Sequence, residues 1–115
     1  MTPLRWISEA YRVTHSFSRT HQGDHYLYIV LLEKVPETED GNALYVGETS
    51  LKPEKRFENH KAGYKASKWV KKYGVQLLPN LYSHLIPLQR EEAERLEYEI
   101  AEALKKRGIP VYGGH

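Results

Sequence analysis

The stretch His25-Tyr26-Leu27-Tyr28-Ile29-Val30-Leu31-Leu32-Glu33-Lys34-Val35 decides how this chain folds. It is rich in Tyr, Leu, Ile and Val, too short and too β-prone for a lone helix, and it reads as a buried strand. Pro36 to Asn42 follows as an acidic, turn-prone segment, the exposed loop of a hairpin. Ala43-Leu44-Tyr45-Val46-Gly47 is then a second short strand. It must run antiparallel to the first, because so short a connection cannot make a parallel crossover.

Working outward, Pro53 suits the first turn of a helix that runs to about Ala62 and ends at Gly63. Ala66 to Tyr73 reads as a second helix closed by Gly74, with Lys65, Lys68, Lys71 and Lys72 three to four apart on one side and Trp69 and Val70 anchoring the other. Val75 to Leu78 and Leu81 to Leu85, interrupted at Pro79-Asn80, supply a third strand. Gln89 opens the longest helix, which runs to Arg107 with Gly108 in the stop position and Pro110 just beyond. Residues 1–24, with Trp6, Ile7, Tyr11 and Val13, read as an N-terminal extension, a short helix or strand docked on the core.

At 115 residues with 40% apolar content the chain supports one modest core. It has no cysteine, which excludes disulfides, thiolate metal sites and cysteine nucleophiles. No apolar run approaches the roughly 20 residues needed to span a bilayer, and Met1 to Ile7 lacks the h-region of a signal peptide, so the expected location is intracellular and cytoplasmic, with no membrane partner. Charge is unevenly spread. Between Ser50 and Val75 eight Lys or Arg stand against two acids, so this segment carries +6 in a chain of net charge +2. Such clustering fits either a polyanion-facing side or a solvated helix face.

Three sets of residues carry chemical potential. In the last helix Ala93, Ile100 and Leu104 form an apolar stripe whose missing member is Glu97. Burying a carboxylate is costly unless compensated, so Glu97 is either paired with a buried Arg or destined for a metal. Arg56 and His60, four apart, project from one helical face and can act on one target, a guanidinium on phosphate charge and an imidazole on a proton. Tyr28 and Tyr45 fall on adjacent strands and can aim their hydroxyls at one opening. A phenol has a free pKa near ~10, so it becomes a useful base only beside a cation or metal.

Taken in order, Tyr26-Leu27-Tyr28, Tyr45-Val46-Gly47, Arg56, His60 and Glu97 resemble the GIY-YIG nuclease domain over about residues 25–112. The first motif matches loosely, retaining only its final tyrosine; the second matches well. The resemblance implies an α+β fold, a small central antiparallel sheet of about three strands flanked by helices. Three features depart from the family pattern. The gap between the tyrosine motifs is long, Glu48 stands where some relatives carry lysine, and the asparagine expected after the final helix is absent from Val111-Tyr112-Gly113-Gly114-His115, where His115 is the candidate replacement.

The resemblance further implies a divalent-metal-dependent endonuclease, structure-directed or weakly sequence-specific, acting in DNA repair, recombination or defence. Tyr28, Tyr45, Arg56, His60 and Glu97 would be catalytic, with Glu97 holding Mg²⁺ or Mn²⁺. Lys61, Lys65, Lys68, Lys71 and Lys72 would hold nucleic acid, DNA rather than RNA, and specificity would come from the site, a protein partner or a homodimer. Two other readings stay open: a nucleic-acid-binding module on the same scaffold that has lost cleavage, and a structural domain in which Glu97 pairs with Arg56.

Overall fold

The computed structural model describes residues 4–114, so His115, the candidate replacement for the asparagine, lies outside the described residues. The central strand β1 (Tyr26–Leu32) is buried on both faces over six of its seven residues, as its nearly unbroken apolar run requires. It pairs antiparallel with β2 (Ala43–Thr49), with Tyr28 opposite Gly47 and Val30 opposite Tyr45. Because side chains alternate between faces, Tyr28 and Val30 share a face with Gly47 and Tyr45, while Leu27 and Ile29 share the other with Glu48 and Val46.

Helix α2 (Pro53–Ala62) begins with proline in its first turn and ends at Gly63 in the left-handed region, φ 88°, as the sequence signals require. Helix α3 (Lys68–Tyr73) is shorter than the sequence suggests. Ser67 caps its start, its Oγ accepting the Trp69 N–H at 3.2 Å, so Lys65 lies in the preceding loop and not on the helix. Gly74 is extended and opens the third strand, β3 (Gly74–Leu77), which adds antiparallel to the far side of β1. The segment Leu81 to Leu85 is not strand. Pro79–Leu81 and Ser83–Leu85 form two 3₁₀ turns that bury Leu81, Tyr82 and Leu85 instead.

Helix α4 (Arg90–Lys106) buries Ala93, Leu96, Glu97, Ile100, Ala101 and Leu104 against the sheet. Upstream, α1 (Ile7–Thr14) packs on α4, burying Trp6, Ala10 and Val13, and Glu9 meets Arg107 at 3.3 Å. After α4 the chain returns as a fourth strand, β4 (Val111–Gly113), parallel to β2. The sheet therefore has four strands in the order β3-β1-β2-β4 and is mixed, where the sequence suggested three antiparallel ones. Three residues carry too little alternation to announce a strand; β4 forms because the α4 exit delivers them alongside β2.

Gly113 and Gly114 close this edge with φ of 77° and 83°, and the Gly114 N–H donates to the Val46 carbonyl at 2.9 Å. A side chain at Gly114 would overlap the Ala101 methyl in α4. Gly114→Ala should therefore cost about 2 kcal/mol or more, through left-handed strain and the overlap together, and thermal unfolding would measure it.

Candidate active site

The tyrosine hairpin and α2 meet over the Tyr28 face of the sheet. His60, in the last turn of α2, is fully buried, and its Nε2 lies 2.8 Å from the Tyr28 hydroxyl. Its other nitrogen, Nδ1, accepts the backbone N–H of Ser67 at 3.0 Å. Burial, and secondarily the Arg56 charge, lowers the His60 pKa to about 4, so the ring is neutral near pH 7. A neutral imidazole whose Nδ1 accepts must carry its proton on Nε2. His60 thus donates to the Tyr28 oxygen, and the phenol's own proton is left to point elsewhere.

Gly47 makes this contact geometrically possible. A Cβ there would lie 2.5 Å from the Tyr28 ring carbon Cζ and 2.6 Å from its hydroxyl oxygen, so the second motif needs glycine for a close approach. Tyr45, half-buried, stands beside the pair with its ring centroid 6.2 Å from Tyr28 and 5.8 Å from His60. Burial and then Tyr45 raise the Tyr28 pKa above the ordinary phenol value, while the Arg56 guanidinium pulls it down.

Arg56, one turn before His60, donates to the carbonyls of Tyr64 and Lys65 at 3.4 and 2.9 Å. It has no ion pair with Glu97, and among the described residues Glu97 has no cationic partner. The reading in which these two residues pair in the core therefore fails. Glu97 is only 7% exposed, and burial followed by Glu48 pushes its pKa up to about 7. A buried carboxylate without a cation fits a divalent metal. Among the described residues no group of three or more His, Asp or Glu could complete an all-protein cage, so Glu97 would be the anchoring ligand, which suits an ion that keeps several waters and takes oxygens from phosphate.

Glu48 itself is bonded by the Nε2 of His25, whose backbone is held by reciprocal hydrogen bonds with Leu88, both 2.9 Å. Neither this pair nor the Ser67 amide was legible in the spacing of the motifs. Of the lysines, Lys65, Lys68, Lys71 and Lys72 are exposed, and Lys68 and Lys72 lie over the rings of Trp69 and Tyr73 at 5.3 and 5.4 Å. Lys61 is engaged elsewhere. Its ammonium donates to the carbonyls of Val70, Lys71 and Gly74 at 3.4, 3.0 and 2.9 Å and closes the carboxyl end of α3. Trp69 stacks on Tyr112 of β4, centroids 4.1 Å apart, and Val70 is fully buried.

A family model for the GIY-YIG catalytic domain matches residues 24–109. The chain belongs to the GIY-YIG family. No curated protein and no solved structure matches it. The GIY-YIG domain is a nuclease domain whose members generally use a divalent metal, and its substrate is nucleic acid. The four-stranded α+β architecture agrees with the GIY-YIG fold. No helix among the described residues is long and apolar enough to cross a membrane.

Gly47→Ala should force Tyr28 from His60 and destabilise the protein by about 1–3 kcal/mol. Thermal unfolding reads the energy and the ¹⁵N shifts of the His60 ring read the displacement. The depressed His60 pKa has its own signature. An unfolded His binds its proton near 6.5 and the folded one near 4, so its contribution to stability is complete above about pH 6.5 and is lost as pH falls toward 4. Glu97 acts with the opposite sign, destabilising the metal-free protein as pH climbs from 4.5 to about 7. The two offset in the wild type. The stability difference between wild type and His60→Gln should therefore be flat above pH 6.5 and slope below it; a difference independent of pH would contradict the depressed His60 pKa.

Proposed function

We propose that this protein is a divalent-metal-dependent endonuclease that hydrolyses phosphodiester bonds of DNA, directed by structure more than by sequence. The observation that carries the reading is the buried Tyr28–His60 hydrogen bond, with neutral His60 as donor, Arg56 beside it and Glu97 without a counter-charge among the described residues. Tyr45, Arg56 and Glu97 all lie close enough to bear on the charge of Tyr28, which favours a reactive site over a purely structural core. We place the catalytic unit at residues 25–115, with residues 1–24 an extension whose helix α1 docks on α4.

Hydrolysis needs a water stripped of a proton and a phosphate relieved of the charge that builds on it. One of the two phenols, Tyr28 or Tyr45, takes the proton as its phenolate, after its own proton has been lost to solvent. For Tyr28, two donors favour the charged oxygen, the His60 Nε2–H and the Arg56 guanidinium, which offset part of the burial that holds its pKa up. His60 orients and stabilises; with Nδ1 occupied by the Ser67 N–H, it does not collect the proton itself. Arg56 is fixed by two carbonyls, so its charge meets a phosphate oxygen without reorganisation. Glu97 would hold Mg²⁺ or Mn²⁺, which supplies Lewis-acid polarisation of the phosphate.

Around this centre the exposed Lys65, Lys68, Lys71 and Lys72 provide the phosphate contacts of a DNA strand, Lys61 contributing charge from its position at the end of α3. No residue pattern in the sequence announces base-specific readout in a major groove, which favours recognition of strand state. An intracellular role in repair, recombination or defence fits such a reagent.

The test is cleavage of end-labelled single-stranded, duplex and branched DNA with Mg²⁺ or Mn²⁺. Glu97→Gln and Arg56→Ala should each reduce the rate by about 100-fold or more. Mn²⁺ should also raise the melting temperature of wild type and leave that of Glu97→Gln unchanged. DNA that is bound but never cut by wild type would favour a binding module that has lost cleavage.

A further inference from the structure

A cavity of about 470 Å³ opens on the outer side of Arg56, between the β2–α2 connection and the loop from α2 to α3. Leu51, Lys55, Arg56, Asn59, Tyr64 and Lys65 line it, and no carboxylate among the described residues does. Three cations thus face one space. Lys55 contacts Glu58 at 3.6 Å, but both are well exposed and such a pair holds the ammonium weakly. Tyr64 is 59% exposed, although its backbone N–H closes the helix end by donating to the Asn59 carbonyl at 2.9 Å. A residue at that position of a helix stop ordinarily folds its apolar side chain back onto the helix. Here the ring stands out, with the Lys65 ammonium 5.6 Å from its centroid.

The backbone adds an independent sign. Lys65 has φ 47°, the left-handed region that a lysine enters only at a cost of about 1–2 kcal/mol. What holds it there is Arg56, whose guanidinium binds the carbonyls of both Tyr64 and Lys65. The proposed catalytic cation and the strained loop are one mechanical unit. Strain of this kind persists where the surrounding structure enforces it, and it concentrates at ligand sites.

We infer that this cavity is a subsite for an unpaired nucleotide next to the scissile phosphate, with Tyr64 stacking on its base and Lys55 and Lys65 holding the neighbouring phosphate. The inference rests on the nuclease reading and narrows it. A ring on an exposed loop reaches the face of a base only where that face is not covered by a neighbour in a duplex, so the subsite selects flaps, gaps and single strands over continuous duplex. Asn59 lies within the same wall and offers an amide to the base edge. Because Arg56 lines the cavity and also bears on Tyr28, a nucleotide seated on Tyr64 places the adjoining phosphate against the proposed catalytic group.

Fluorescence anisotropy in EDTA, with labelled flap DNA and the matching blunt duplex, tests this using wild type, Tyr64→Ala, Tyr64→Phe and Lys65→Gln. Tyr64→Ala should bind the flap about tenfold more weakly with duplex binding unchanged, and Tyr64→Phe should restore it. Lys65→Gln should weaken both substrates and flatten the salt dependence. Wild type that binds and cuts the flap while Tyr64→Ala matches it would overturn the subsite and leave the nuclease intact. Wild type that neither binds nor cuts DNA with Mg²⁺ or Mn²⁺ would overturn both.

Discussion

A single buried hydrogen bond, from His60 to Tyr28, is the joint on which this structure turns. Both groups are almost wholly removed from water, and a polar atom buried without a partner costs about 1–3 kcal/mol. The pair must be satisfied, and its satisfaction fixes more than two side chains. It locks α2 onto the sheet at one rotation, requires Gly47 to leave space for the phenol, and recruits the Ser67 amide to hold the imidazole from behind. The N-cap of α3 and the tautomer of His60 are set within one residue, since Ser67 supplies the N–H to one and the Oγ to the other.

Charge is arranged around that joint in a consistent way. The carboxyl group of Glu97 comes up through the α4 stripe with no cation among the described residues to meet it, whereas Arg56 directs its hydrogen bonds to backbone carbonyls and keeps its charge available. Separating the two groups leaves each able to act on a third party. The same economy shows in the lysines. Lys61, itself exposed, commits its ammonium to three carbonyls at the end of α3, while the exposed Lys65, Lys68, Lys71 and Lys72 are not so engaged. A cationic segment that looks uniform in sequence divides into structural and free members.

Much of the frame was legible residue by residue. The run Tyr26 to Leu32 announced a buried strand, Pro53 and Gly63 bracketed α2, and the Glu97 position in an apolar stripe marked a carboxylate out of place. Other elements escaped for identifiable reasons. Strand β4 is three residues long and exists only because β2 offers an edge, and Leu81 to Leu85, apolar enough for a strand, was diverted into 3₁₀ turns. Gly74 does stop α3, as the sequence signals, but it does so in an extended conformation that enters β3 directly.

The sequence by itself determined most of the helices and strands and the identity of the reactive groups, because apolar periodicity, caps and a misplaced carboxylate are properties of neighbouring residues. Only the tertiary structure decided what those groups can do. Which nitrogen of His60 carries the proton, whether Glu97 meets Arg56, and where the Tyr64 ring points depend on contacts between residues far apart in the chain. Protonation and pairing follow from burial and from the nearest dipole, and neither exists until the chain has closed around them.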